Sequence, residues 1–256
     1  MTAVRVLGYN IRSLRDDPAA LAGVIRALGP DVACLQEVPR FAGWRRKRRG
    51  LARACGMRVA AGRRAAGLAV LAGPRARIVH GEHHLLSRVP GLHRRGLAVA
   101  VLEFGGARLV AASTHLDLAD APRRAHTAEI IDLLDGVARA HRAPVVLAGD
   151  VNEEPGGASW TLLATRFQDA HAVAPEGEGA TFPARRPARR IDAVFADPRI
   201  EVTGCGVPGG EVAAGYARAT DHRPVLAGLR LPPAPGPGPG PGPGPGPVQG
   251  SAPGSG

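Results

Sequence analysis

Residues 145 to 155 read Val-Val-Leu-Ala-Gly-Asp-Val-Asn-Glu-Glu-Pro. An apolar run closes on Gly149 and breaks at once into Asp150, one spacer and Asn152, the pattern of a buried strand that stops abruptly. Polar groups at the carboxyl end of a strand are where α/β sheets carry their chemistry. If strand geometry persists, Asp150 and Asn152 face the same side, because side chains alternate with period two. A carboxylate beside a carboxamide suits phosphate hydrolysis. The Asp can ligate a hard cation or align a water, and the Asn can donate to a phosphoryl oxygen without adding charge. The same tetrapeptide also suits a plain turn, since Gly, Asp and Asn are ordinary turn formers. The rest of the chain decides between the two.

Upstream, Val4–Asn10 predicts a first strand ending on Asn10. Asp17-Pro18 opens a helix that Gly29-Pro30 closes near Leu28, with Pro just inside the start and Gly just past the end. Asp31–Glu37 predicts a second strand, apolar until Gln36 and Glu37. A helix is expected over 41–55, with Phe41, Trp44 and Leu51 on its apolar side. Strands are expected at 57–61, 67–72, 77–86, 95–104 and 108–114, with a Gly105-Gly106 hairpin turn. The last of these delivers His115. Downstream, a helix spans 120–140 and a short one 158–164, and residues 171–188 read as loop. A strand over 190–195 carries Asp192 in its interior, where a buried carboxylate needs a partner. A strand at 200–207 follows, and Asp221-His222 precedes a last strand at 225–231. No internal repeat is present.

The polar residues that end or interrupt these runs are Asn10, Glu37, His115, Asp150, Asn152, Asp192, Asp221 and His222. Singly, each reads as a turn, surface or hydrogen-bonded structural residue. Together, Tyr9-Asn10, Leu35-Gln36-Glu37, Ser113-Thr114-His115-Leu116, Gly149-Asp150-Val151-Asn152, Arg190-Ile191-Asp192 and Thr220-Asp221-His222 resemble the endonuclease/exonuclease/phosphatase superfamily, the deoxyribonuclease I-like fold, with its motifs in order. The resemblance implies an α/β four-layer sandwich: two mixed β-sheets face to face, helices outside, and an active site where strand ends converge. It implies that Glu37, with Asn10 and Asp221, holds Mg²⁺ or Mn²⁺, a cation suited by few carboxylates and several waters. It implies that Asp192 orients His222, that Asp150 aligns or deprotonates water, and that Asn10, Asn152 and His115 contact the substrate's phosphate. His222 would be general base or electrostatic partner. The implied reaction is in-line attack of water on a phosphate ester. Two departures stand out. Val151 replaces the usual Phe, and the strand Gly67-Leu-Ala-Val-Leu71 lacks the acid that orients the first catalytic His in some nuclease members.

Composition sets the outer bounds. The chain has 256 residues and a formal charge of +11, with one Lys among 33 basic side chains. Residues 40–64 carry ten of those basic groups and no acid. Such a stretch favours polyanions such as nucleic acid, anionic head groups or phosphorylated small molecules; it also fits the solvated helix face of an arginine-biased protein. The three cysteines suggest no disulfide framework, which with the absence of a signal-like start makes the cytoplasm the expected compartment. Residues 1–231 are expected to form one catalytic domain. Residues 232–256, uncharged and alternating Gly-Pro from Pro235 to Pro247, are expected to be a disordered tail. Three functions fit: a nuclease-type phosphodiesterase, a hydrolase of a small or lipid phosphate such as an inositol phosphate or sphingomyelin-like head group, and a catalytically silent binding protein. No obligate protein partner is implied.

Overall fold

The computed structural model describes residues 1–233. The elements, in chain order, are β1 (Thr2–Asn10), α1 (Pro18–Leu28), β2 (Val32–Gln36), α2 (Trp44–Ala54), β3 (Arg58–Ala61), β4 (Ala69–Ala72), β5 (Arg77–Leu85), β6 (Gly96–Phe104) and β7 (Ala107–His115). Then come α3 (Asp120–His141), β8 (Val145–Asp150), α4 (Ala158–Arg166), β9 (Gln168–Asp169), α5 (Ala170–Val173), β10 (Asp192–Ala196), β11 (Glu201–Gly206), α6 (Tyr216–Ala219) and β12 (Val225–Leu231). They build two six-stranded sheets, ordered β11-β12-β1-β2-β4-β3 and β5-β6-β7-β8-β10-β9. Each sheet is mixed: β1 and β2 run parallel in the first, β7 and β8 parallel in the second, and the other pairs are antiparallel.

Alternation along the strands separates three cores. In β1, Val4 and Val6 join Val146 and Ala148 of β8 between the sheets, while Leu7 and Tyr9 face α1 and α2. Val145 and Leu147 face the other way, toward α3 and α4. The sheets come close near the site because their inner faces are small there. A Cβ on Gly8 would stand 3.2 Å from the Ala148 methyl. Between the sheets, Gln36 donates to the Ser113 hydroxyl at 2.9 Å, and Ser113 donates to the Leu35 carbonyl at 3.0 Å. This buried polar link ties β2 to β7 one step below the site.

Several expectations need correction. α2 begins at Trp44, after Gly43 in the left-handed conformation, so Phe41 precedes the helix and is 69% exposed. The Trp44 ring is instead covered by the Arg45 and Arg48 guanidinium groups, at 4.6 and 4.7 Å from its centroid. Asp192 does not sit inside its strand but starts it. The segment read as loop after residue 170 contains α5 and pairs with itself, Thr181 and Phe182 donating to the Arg189 carbonyl. The tail expected over 232–256 falls, from residue 234 on, outside the described residues.

Candidate active site

The topology explains why distant residues meet. Asn10 ends β1 opposite Gln36, which ends β2 one residue before Glu37. His115 ends β7 opposite Asp150, which ends β8. Because β10 runs antiparallel to β8, its first residue, Asp192, lies opposite Asp150. Four strand ends and one strand start therefore share one edge. His222 arrives from the turn before β12.

Asp150 is the centre of this group and is 2% exposed. Its Oδ2 accepts from Asn10 Nδ2 at 3.0 Å and lies 3.6 Å from His115 Nε2 and 3.8 Å from His222 Nε2. Its Oδ1 accepts the Asn152 backbone N–H at 3.0 Å. Strand geometry does not persist as the sequence suggested. β8 stops at Asp150, and Asn152 adopts a left-handed φ of 55°, a conformation Asn tolerates better than most residues. The turn and the site readings of this stretch thus describe one structure. Asn152 Nδ2 donates to the Leu116 carbonyl at 2.9 Å, which fixes the carboxamide beside the cleft.

His222 Nδ1 donates to Asp192 Oδ2 at 2.9 Å, and Phe182 packs on its ring with centroids 4.9 Å apart. Thr181 Oγ1 accepts the backbone N–H groups of Ile191 and Asp192, at 3.3 and 3.2 Å. Burial of His222 favours the neutral ring, but the adjacent Asp192 carboxylate outweighs it and raises the ring's pKa to about 9. Burial likewise lowers His115, to about 4, against the pull of Asp150. Asp150 itself is raised, first by burial and then by the neighbouring Asp192 charge.

Asn10 Nδ2 also donates to Glu37 Oε1 at 3.1 Å, so one carboxamide bridges two carboxylates. Glu37 turns out of β2 with φ 51°. The two carboxylates form a hard oxygen donor pair, which fits Mg²⁺ or Mn²⁺, while Asn10 Oδ1 accepts the Arg12 backbone N–H at 3.1 Å. Asp221 stands apart from this pair, 3.2 Å from Arg12 Nε. One donor atom each from Asp150, Asp192 and His222 also lies within 4.8 Å of the others. The 2.9 Å bond from His222 occupies Asp192 Oδ2 while Asp192 Oδ1 is buried without a partner among the described residues, so this trio as well as the Glu37–Asp150 carboxylates can hold a cation.

These groups open into a cleft of about 420 Å³ lined by Glu37, His115, Asp150, Asn152 and His222. Arg15, Arg40, His93, Arg94 and Arg95 line it too. Of the basic stretch 40–64, only Arg40 is among those lining residues. The sequence carries no sign of the other four basic residues, nor of Thr181 and Phe182. They lie in irregular segments with no periodic signal, and only the folded chain brings them to the edge. Arg48 is not a surface cation at all: it is buried and donates to the carbonyls of Pro39, Arg63 and Leu68.

Comparison with solved structures gives the same fold. An endonuclease/exonuclease/phosphatase from Bacteroides vulgatus superposes with a TM-score of 0.75 at 21% identity, covering 91% of this chain and 100% of that one. A mannosyl-6-phosphatase from Bacteroides thetaiotaomicron gives 0.76 at 18% identity, covering 89% and 99%. The human Nocturnin catalytic domain with bound sulfate gives 0.70 at 17% identity, covering 90% and 94%. Comparison with curated protein sequences returns no match. Residues 7–222 match the model of the Endonuclease/Exonuclease/phosphatase family, a span that holds every residue of the site just described. The chain belongs to the endonuclease/exonuclease/phosphatase family, whose members are phosphoesterase hydrolases.

Proposed function

We propose that the protein is a Mg²⁺- or Mn²⁺-dependent phosphoesterase of the nuclease-type phosphodiesterase class, working by in-line water attack. The observation that carries this reading is the convergence on Asp150 of three groups from different strands: the Asp192–His222 pair, His115, and the Asn10–Glu37 pair. Glu37 and Asn10 would hold the cation, with Asp221 able to join them from the rim if Arg12 releases it. When bound, the ion neutralises phosphate charge and polarises the phosphoryl group.

The protein's own groups do the rest. Asp150 Oδ2 orients the water and takes its proton. His222, fixed by Asp192, faces that same oxygen and favours the ionised carboxylate, the form able to take the proton. Asn152 and His115 bind the phosphoryl oxygens. The cationic rim draws the phosphate in and lets it displace water from the cleft.

A second reading, a small or lipid phosphate substrate, draws support from the rim. Its arginines, Arg15, Arg40, Arg94 and Arg95, crowd the cleft itself, whereas Arg45, Arg46 and Arg49 stand exposed on α2 and are not among the cleft residues. A cytoplasmic enzyme remains the expectation; no helix among the described residues is long and apolar enough to cross a membrane. The test is a Mg²⁺- and Mn²⁺-supplemented screen over plasmid DNA, single-stranded DNA, RNA, inositol phosphates, sphingomyelin and bis-nitrophenyl phosphate, with EDTA controls. Hydrolysis that stops in EDTA supports the proposal. Undiminished hydrolysis in EDTA, or none of any phosphate ester, overturns it.

A further inference from the structure

Arg95 differs from the other arginines of the cleft. Arg15 and Arg94 are exposed and Arg40 is half-buried, whereas only 11% of the Arg95 side chain is exposed. Arg95 immediately precedes β6, and the register Leu97↔Thr114 carries it to the end of β7, where His115 stands. Its Nε is buried and lies 3.2 Å from Asp117 Oδ1. No described residue accepts from its Nη1 or Nη2, and neither is a buried atom, so that end of the guanidinium is left to the cleft it lines.

Asp117 is itself firmly placed. It is buried, two residues past the end of β7, and its Oδ2 lies 3.3 Å from His126 Nδ1. The other nitrogen of that ring is 2.9 Å from the Ser87 carbonyl oxygen. Arg123, three residues before His126 on α3, donates from Nη1 to the carbonyls of Asp117 and Leu118 at 3.0 and 2.8 Å. Backbone and carboxylate are therefore both held. The contact with Arg95 also has an unusual form. Arg77, Arg190 and Arg199 each grip their carboxylate with two nitrogens, the arrangement that gains most from the planar fork. Arg95 meets Asp117 through Nε alone and keeps its fork for another anion.

Resting on the phosphoesterase reading of this cleft, we propose that Arg95 binds the substrate's phosphoryl group through its two Nη groups, and that Asp117, set in turn by His126, is the positioning residue that aims it. A guanidinium fork matches two oxygens of one phosphate. A side chain already fixed by a buried carboxylate loses less freedom on binding than the exposed Arg15 and Arg94 do. The rim thus divides its work: the exposed arginines draw the anion in, and Arg95 holds it on the His115 side of Asp150.

The test titrates inorganic phosphate into the full chain in excess Mg²⁺, beside steady-state hydrolysis of bis-nitrophenyl phosphate. Arg95→Gln should weaken phosphate binding by about tenfold to a hundredfold and raise KM more than it lowers kcat. Arg94→Gln, which removes the same charge from the exposed neighbour, should weaken binding far less. Asp117→Asn keeps the shape of the side chain and removes its charge; it should weaken phosphate binding too, and it should add nothing to Arg95→Gln in the double variant, because Asp117 acts through Arg95. Arg95→Lys keeps the charge without the fork; it should bind phosphate more weakly than wild type, and it carries the comparison if Asp117→Asn folds poorly. Wild-type phosphate affinity in Arg95→Gln or Arg95→Lys would overturn the proposal, as would equal losses in Arg94→Gln and Arg95→Gln or no phosphate binding by wild type. Additive losses in the double variant would remove Asp117 from its positioning role. Arg95-dependent phosphate binding by a chain that hydrolyses no ester would sink the proposed reaction and leave this site standing; hydrolysis with phosphate binding indifferent to Arg95 would do the reverse.

Discussion

His222 Nδ1 lies 2.9 Å from Asp192 Oδ2 while its Nε2 lies 3.8 Å from Asp150 Oδ2. One imidazole therefore connects a carboxylate that starts β10 to a carboxylate that ends β8. The antiparallel register of these two strands puts the two acids side by side, and the ring is held between them. In the proposed mechanism Asp192 acts through His222 and not on the substrate. Asp192→Asn should thus slow turnover within the range of about 10²–10⁴ given for a positioned acid or base and leave metal affinity nearly unchanged. Glu37→Gln should do the opposite, weakening metal binding first. Isothermal titration with Mn²⁺ beside steady-state kinetics separates the two; the reverse pattern would exchange their roles.

Asp150 is buried among polar groups, and its ionised form is disfavoured by burial and by Asp192. The proposed function supplies a reason for a carboxylate there. Asp150→Asn should cut kcat by orders of magnitude, again about 10²–10⁴, with no loss of melting temperature. A variant with near wild-type kcat would remove Asp150 from the chemistry.

How much of this was legible in the sequence depends on whether a signal is local. Asn10, Glu37, His115 and Asp150 stand where apolar runs stop, and strand periodicity alone marks such points. Asp192 stands out in the sequence as a charge among apolar residues, but its place at the start of β10, opposite Asp150, depends on strand pairing. Phe41 looked like part of a helix face; Gly43, at φ 71°, starts the helix later. Thr181, Phe182, His93, Arg94 and Arg95 sit in irregular chain, where neither period nor turn chemistry says what they touch.

Gly149 has a steric reason to be glycine. A Cβ there would lie 2.6 Å from the Thr114 carbonyl oxygen and 2.8 Å from the Thr114 side chain on the parallel neighbour β7. Gly149→Ala must push β7 and β8 apart one residue below the His115–Asp150 pair. Overpacking of this kind costs about 1–3 kcal/mol. Chemical denaturation should show that loss together with reduced kcat. Unchanged stability would mean that the two strands can separate freely at this point.

Asp197 gives the pH dependence a definite sign. Its burial opposes ionisation, but the Arg199 side chain at 2.8 Å and the Arg199 backbone N–H at 3.0 Å outweigh it and hold the carboxyl below its ordinary value. A lowered folded-state pKa stabilises the fold above the unfolded value of about 3.9, and this contribution is lost as pH falls through the lower folded value. Asp197→Asn should melt below wild type near neutral pH, and the gap should narrow once acidification passes below the unfolded value of about 3.9. A gap constant across that range would mean that the Asp197–Arg199 contact is not coupled to protonation.

The basic stretch 40–64 holds arginines of two physical kinds, and they predict opposite results. Arg48 is buried, and its guanidinium satisfies the carbonyls of Pro39, Arg63 and Leu68. Arg48→Gln removes donors from buried acceptors, which costs about 1–3 kcal/mol, so it should lower stability whatever the substrate is. Arg45, Arg46 and Arg49 are exposed on the same helix. If the substrate is nucleic acid, replacing these three with Gln should weaken binding and flatten its salt dependence, by about 0.9 in the log–log slope for each duplex phosphate no longer neutralised. Hydrolysis of bis-nitrophenyl phosphate by the triple variant should stay at the wild-type rate, because a small diester reaches only the cleft. Arg40→Gln, at the one position of the stretch that lines the cleft, should instead raise KM for both substrates. Salt titrations of DNA and RNA binding with the triple variant therefore separate the two substrate classes. A slope identical to wild type would make the exposed arginines compositional and leave the rim residues Arg15, Arg40, His93, Arg94 and Arg95 as the whole of the recognition surface, which favours a small phosphate over a polymer.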